Sequence, residues 1–143
     1  MDEAGMADEF ERNRRYFSAL DPSIRPENFA YPYGLASIGY KRQLRGSFRS
    51  SRGILPGINR RLVDLHFLRA TPLVEELIDG PAIEHACEAP ESGGWLIFYS
   101  HDIVARPSPD GCAPQFLRRA LRAVSRRDIP IVTVAEALRR AGA

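Results

Sequence analysis

Residues 95–102 read Trp-Leu-Ile-Phe-Tyr-Ser-His-Asp, and the first five form the longest unbroken apolar run in the chain. Gly93 and Gly94 precede this run, so a turn is expected to lead into it. A short apolar run between turn residues is typical of a strand that is buried on both faces. We therefore predict a strand over Trp95–Ser100, with His101 at its carboxyl end.

The rest of the chain alternates between strand-like and helix-like patterns. Apolar spacing predicts helices over Met6–Leu20, Leu35–Leu44, Val74–Glu88, Phe116–Val124 and Val134–Arg140. Further strands are predicted over Asn28–Tyr31, Ser47–Ile54, Val63–Ala70 and Ile129–Val132. Repeated strand-then-helix order favours an α/β fold with a mostly parallel sheet.

The composition is that of a single globular domain over residues 1–143. Hydrophobic residues make up 44% of the chain and the formal net charge is +2, which excludes a disordered or collagen-like protein. Lys41 is the only lysine beside 19 arginines. Because the arginines are scattered rather than grouped, they do not favour a nucleic acid as partner.

Neither a secretory leader nor a membrane span is recognisable in the sequence, since no apolar stretch approaches the roughly 20 residues of a membrane-spanning helix. We therefore expect no membrane partner. The compartment stays open, because Cys87 and Cys112 either pair or remain free and two cysteines do not distinguish these cases.

Two strand ends carry residues suited to chemistry, which α/β folds concentrate at the carboxyl ends of parallel strands. His101 offers an imidazole that can act as a general acid, or it simply contacts the loop that follows. At the end of the strand Asn28–Tyr31, the proline ring fixes φ at Pro32, and Gly34 can adopt a positive φ. The Tyr33 N–H is therefore expected to point out of the turn and to donate to an oxyanion. The alternative is a turn without a chemical role.

Three segments resemble, in order and spacing, the second half of the polysaccharide deacetylase family, a group of carbohydrate esterases with a NodB-homology domain. They are Phe29–Gly34, Ser47–Asn59 and Trp95–Asp102. Gly111-Cys112 and Ile131–Val134 resemble closing segments of one bacterial branch. The resemblance covers most of the chain and implies an incomplete, distorted (β/α) barrel of the NodB-homology type.

The same resemblance implies a hydrolase that acts on carbon–nitrogen, non-peptide bonds and removes acetyl groups from an aminosugar polymer. His101 would be the general acid and the Tyr33 N–H an oxyanion donor, both facing one pocket. The substrate would also contact Tyr31, Pro32, Trp95 and Tyr99.

The family's metal site has no counterpart in this sequence. The resemblance implies a divalent cation, usually zinc, held by an Asp-Asp pair and a His-x-x-x-His stretch, but the sequence contains neither motif. His66, His85 and His101 are separated by 19 and 16 residues, so we expect no metal ligands in this chain. Asp64 is the nearest candidate for a partner of the catalytic histidine, or is a solvated strand-end residue.

Whether the chain is catalytically competent therefore stays open. One alternative is an enzyme completed by a second chain that supplies the missing half. The others are a fragment that folds poorly and a non-catalytic remnant that binds carbohydrate. We expect the purified chain to release no acetate from acetylated chito-oligosaccharides, even with zinc, cobalt or nickel present.

Overall fold

The computed structural model of the chain describes residues 3–88 and 93–143. It has a mixed α/β fold with short parallel strands, and the strands of the described residues do not close into a barrel. Contacts between Cα atoms divide the chain into two compact units. Unit 1 comprises Met1–Gly53 and Asp64–Leu68, and unit 2 comprises Ile54–Val63 and Arg69–Ala143.

Unit 1 contains one parallel strand pair and two α-helices. Its elements in chain order are α1 (Glu3–Leu20), β1 (Asn28–Ala30), a 3-10 turn (Pro32–Gly34), α2 (Ile38–Arg45) and β2 (Ser50–Arg52). β1 and β2 pair in parallel with Asn28 opposite Ser50. The Ser37 side chain caps α2 by accepting a hydrogen bond from the Tyr40 N–H, and Gly46 follows the last turn of this helix.

Aromatic packing holds α1 against the strand pair of unit 1. The Phe10 ring on α1 lies 5.1 Å from the Phe29 ring and 5.8 Å from the Phe48 ring, measured between centroids, in edge-to-face contact. The Phe29 and Phe48 rings lie 5.2 Å apart. Leu44 of α2 is fully buried. Edge-to-face aromatic pairs add to the free energy of burial, so this cluster stabilises the packing of α1 on the strand pair.

The described residues of unit 2 contain the second parallel pair and three α-helices. Its elements are β3 (Thr71–Pro72), α3 (Gly80–Glu88), β4 (Phe98–Tyr99), α4 (Pro114–Ser125) and α5 (Val134–Ala141). β3 pairs with β4 in parallel, with Thr71 opposite Phe98. α3 packs on α4 over a buried core formed by Leu73, Ile83, Cys87, Cys112, Ala120 and Ala123.

Both cysteines are free thiols in this core. Each is fully buried, and burial raises the pKa of the Cys87 thiol. A thiol in this environment behaves as a small apolar side chain.

None of the described helices combines the length and the apolar character that crossing a membrane requires.

The segment Val63–Ala70, predicted as a strand, is not one. Its backbone turns at Leu65 and His66, and only Leu68 forms an isolated parallel bridge, with Arg52. The physical reason is Asp64, whose carboxylate accepts a hydrogen bond from the His66 N–H while its carbonyl accepts one from the Phe67 N–H. Local bonds of this kind compete with a strand ladder.

Other predicted elements also differ from the structure. The strand predicted over Ser47–Ile54 shortens to β2, and the helix predicted from Leu35 begins at Ile38. Residues 129–132 form no strand, since Pro130 has no N–H to donate to a ladder. The helix predicted from Val74 begins only at Gly80, because the Asp79 side chain caps it by accepting from the Ala82 N–H. The strand predicted over Trp95–Ser100 shortens to β4.

Candidate functional site

The Pro-Tyr-Gly turn of unit 1 presents an unused backbone donor. Tyr33 has φ 55° and Gly34 has φ 69°, so both occupy the left-handed region. The Gly34 N–H donates to the Tyr31 carbonyl at 2.9 Å and the Leu35 N–H donates to the Pro32 carbonyl at 3.2 Å. The Tyr33 N–H has no acceptor among the described residues, and Tyr33 as a whole is 90% exposed. The turn therefore leaves one amide free to bind an oxygen of a ligand.

A cavity of about 740 Å³ opens in unit 1 beside this turn. Tyr31 and Pro32 line it together with Phe10, Phe29 and Phe48, so much of its wall is aromatic. A cavity of this volume is in the range of small-molecule sites. Two of the residues predicted to contact substrate thus line one cavity.

Tyr31 is held in the interior of unit 1 and is only 4% exposed. Its hydroxyl donates a 2.9 Å hydrogen bond to the His66 carbonyl, and its ring contacts those of Phe29 and Phe67. Burial raises the pKa of the Tyr31 hydroxyl, and the negative charge of Asp64 acts in the same direction. Stacking of this ring on a sugar stays a prediction, and it would require the ring to leave these contacts.

His66, whose carbonyl accepts the hydrogen bond from Tyr31, has polar groups as neighbours. The Asp64 carboxylate forms an ion pair with Lys41, and this pair holds the pKa of Asp64 below its usual value although burial acts to raise it. The Ser51 hydroxyl lies 3.4 Å from Nδ1 of His66. Burial lowers the pKa of His66, and the positive charge of Arg45 lowers it further. Asp64 is therefore engaged inside unit 1 by a lysine and by a backbone amide.

His101 follows β4 in unit 2. Its backbone N–H donates to the Asp110 carbonyl at 3.2 Å, which anchors the residue to the loop that follows. Its side chain is exposed, and the imidazole has no hydrogen-bond partner within residues 3–88 and 93–143. A fixed backbone with an uncommitted ring is what a proton donor to a bound ligand needs.

Asp102 closes the loop after His101 rather than orienting the imidazole. Its carboxylate accepts hydrogen bonds from the Ser108 N–H at 3.0 Å and from the Ser108 hydroxyl at 2.6 Å. These bonds hold the pKa of Asp102 below its usual value. At Gly111 a Cβ atom would lie 2.1 Å from Oδ1 of Asp102, so the tight loop requires glycine there.

Trp95 and Tyr99, also predicted to contact substrate, lie in the same unit as His101 and are half-buried. Trp95 exchanges two 2.9 Å backbone hydrogen bonds with Asn59 as an isolated antiparallel bridge. The Tyr99 carbonyl accepts a 2.7 Å hydrogen bond from the Leu73 N–H.

Asn59 was not singled out by the sequence reasoning. It is 3% exposed, its side-chain amide donates to the Arg69 carbonyl at 2.9 Å, and its side-chain oxygen accepts from the Arg69 N–H at 2.9 Å. Asn59 therefore fixes the segment that pairs with Trp95. The sequence feature that indicates this role is the position of Asn59 directly after Pro56-Gly57-Ile58, because Asn side chains near turns often form hydrogen bonds with the backbone.

The predicted site residues fall into both units. Unit 1 holds Tyr31, Pro32 and Tyr33, and unit 2 holds Trp95, Tyr99 and His101. A zinc site needs three or four His, Cys, Asp or Glu side chains around one point. No three such side chains meet within the described part of the chain, so its donors do not fit the zinc ion that the resemblance implies.

Comparisons with models of protein families, with curated proteins and with solved structures give no significant match to this chain.

Proposed function

We propose that the chain is a polysaccharide deacetylase-like hydrolase that acts on the acetylated nitrogen of an aminosugar polymer. In this proposal His101 is the general acid and the Tyr33 N–H stabilises the oxyanion. The fold is part of the proposal: β1, β3 and β4 are each followed by a helix, as expected for pieces of a distorted (β/α) barrel of the NodB-homology type.

The observation that carries the proposal is the state of His101. Its imidazole is exposed directly after a parallel strand and has no hydrogen-bond partner among the described residues. Because the side chain is exposed, its ring nitrogens are open to solvent and can bind a group of a ligand. Here the loop is closed by Asp102 and Ser108 instead, which leaves the ring available to a ligand.

The free amide of Tyr33 is the second observation that supports the proposal. Its N–H donates to no acceptor among the described residues, and the positive φ of Tyr33 is a strained conformation of the kind that is enriched at binding sites. An amide of this kind is worth about 10²–10³-fold in rate when it donates to a developing oxyanion.

The reaction adds one water across the carbon–nitrogen bond and yields acetate and a free amine. As water attacks, the carbonyl oxygen gains negative charge, which a hydrogen-bond donor stabilises. As the bond breaks, the departing nitrogen takes a proton from the His101 imidazolium, which becomes neutral. The proton of the attacking water goes to a base outside the assigned residues, and a second chain is one source of that base.

Nuclear magnetic resonance titration of the full chain tests the proposal. A fully acetylated chito-oligosaccharide is expected to shift the ring signals of His101 and the amide signal of Tyr33. A cello-oligosaccharide of equal length has the same linkage but no acetamido group, and it is expected to shift neither. Shifts that are absent, or that are equal for the two sugars, would contradict the proposal.

The exposed ring of Tyr33 favours a second candidate function, a non-catalytic module that binds carbohydrate. Stacking on a sugar face needs an aromatic surface open to solvent. If this function is the true one, a Tyr33→Ala variant loses binding of both sugars and the His101 signals stay unmoved throughout. The hydrolase proposal expects Tyr33→Ala to retain the His101 shift, because the backbone N–H remains.

A further inference from the structure

Unit 2 contains a cavity of about 520 Å³ whose wall carries three arginines of α4. Arg119, Arg122 and Arg126 are exposed, and their guanidinium groups make no ion pair or hydrogen bond with the described residues. The neighbouring Arg127 behaves differently, since it pairs with Glu88. Three uncommitted cations on one cavity wall indicate a place for an anion.

The three arginines form one line on the helix. They are three and four residues apart, so their Cα atoms advance by about 4.5 Å and then about 6 Å along the axis of α4. Arg119 is positioned by Gly80 at the start of α3: a Cβ atom there would lie 1.5 Å from Nη1 of Arg119. The absence of a side chain at Gly80 therefore makes room for this guanidinium.

Two carboxylates share the cavity wall. Glu75 accepts a 2.7 Å hydrogen bond from the Ala113 N–H, next to the first turn of α4, where a negative charge is favourable. Glu84 has no hydrogen-bond partner among the described residues. The cavity thus combines three free cations with acceptors that can bind hydroxyl groups.

The carboxylates favour a sparsely charged polymer over a nucleic acid. Glu75 and Glu84 share the wall with the arginines, and they would repel the one charge per nucleotide of a nucleic-acid strand more than the charges of a polymer with fewer anionic groups. A glycan with one carboxylate on alternate or successive sugars offers fewer charges and many hydroxyl donors. Guanidinium groups bind carboxylates through two parallel hydrogen bonds.

We infer that this cavity binds the carboxylate groups of an acidic polysaccharide, and that the polymer on which the chain acts contains uronic acid as well as aminosugar residues. The second part of this inference rests on the proposed function. The first part concerns only the arginine line and the cavity.

Binding of a polyuronate oligomer to the full chain tests the inference. The substitution Arg122→Gln is expected to weaken binding about tenfold, because it removes a charge-assisted hydrogen-bond pair. The matched control is Arg118→Gln, an equal charge change at an exposed residue of α4 outside the cavity, and it is expected to leave the affinity within about twofold. Gly80→Ala, which displaces only the mobile end of Arg119, is expected to weaken binding with an unchanged melting temperature.

Two results would overturn the inference: equal effects of Arg122→Gln and Arg118→Gln, or tighter binding of a single-stranded DNA oligomer than of a polyuronate with the same number of charges. Failure of the proposed function gives a different result from failure of this inference. In that case the polyuronate still binds through Arg122, whereas acetylated chito-oligosaccharide leaves the His101 signals unchanged.

Discussion

The Tyr31 hydroxyl donates a 2.9 Å hydrogen bond to the carbonyl oxygen of His66, a residue 35 positions further along the chain. This bond joins the end of β1 to the turn that follows Asp64, within unit 1. The bond therefore anchors the residue that directly precedes the Pro-Tyr-Gly turn.

Replacing Tyr31 by Phe is expected to lower the free energy of unfolding by about 1–2 kcal/mol, because the His66 carbonyl loses a part-buried donor while the ring packing is retained. Urea denaturation followed by circular dichroism measures the change. Tyr16→Phe is the control, since Tyr16 is exposed. Equal stability of the Tyr31 variant and the wild type would show that the bond is not formed in solution.

Replacing Asn59 by Ala is expected to lower the free energy of unfolding by about 1–3 kcal/mol, because two part-buried hydrogen bonds to the N–H and carbonyl of Arg69 are lost. Asn59→Asp is expected to be at least as damaging, since a carboxylate oxygen would then face the Arg69 carbonyl. Thermal unfolding measures both variants. A melting temperature within error of the wild type for Asn59→Asp would contradict the arrangement of this side chain.

Stability is expected to fall as the pH is lowered through the titration of His66. Burial holds the pKa of folded His66 below the 6.5 of an unperturbed histidine, so the unfolded chain binds more protons in the window below 6.5. Urea denaturation between about pH 5 and about pH 7 is expected to show a positive slope that His66→Gln reduces. The exposed His85 provides the control, and an equal reduction by His85→Gln would assign the slope elsewhere.

The purified chain is expected to release no acetate from acetylated chito-oligosaccharide with zinc, cobalt or nickel added, because the described donors do not fit a metal ion. A coupled assay for acetate measures this directly. Release that depends on the added metal ion would show that the chain holds a cation after all. If the His101→Gln variant also abolishes this release, the role of His101 stays intact.

The helices that pack on the core could be predicted from the sequence. The spacing of Phe116, Leu117, Ala120, Leu121 and Val124 predicted α4. Ala120 is buried as this stripe indicated, whereas Leu121 is exposed. The helix was predictable because helix periodicity and burial are both local properties of the chain.

The strands were less predictable, because a strand exists only where a partner pairs with it. Ile131 and Val132 have strand-forming side chains but remain exposed, with no ladder among the described residues. The environment of His66 could not be predicted either, since Tyr31, Ser51 and Lys41 come from distant parts of the sequence. Pattern reasoning treats Asp64 as a strand residue and therefore misses its side-chain turn.

The most direct test of the role of His101 is a crystal structure of the chain with acetylated chito-oligosaccharide bound. A ring nitrogen of His101 is expected within about 2.7–3.2 Å of the acetamido nitrogen, the range of a hydrogen bond. An oligosaccharide bound with its acetamido groups away from the imidazole, or with protein side chains packed between them, would contradict the proposed role.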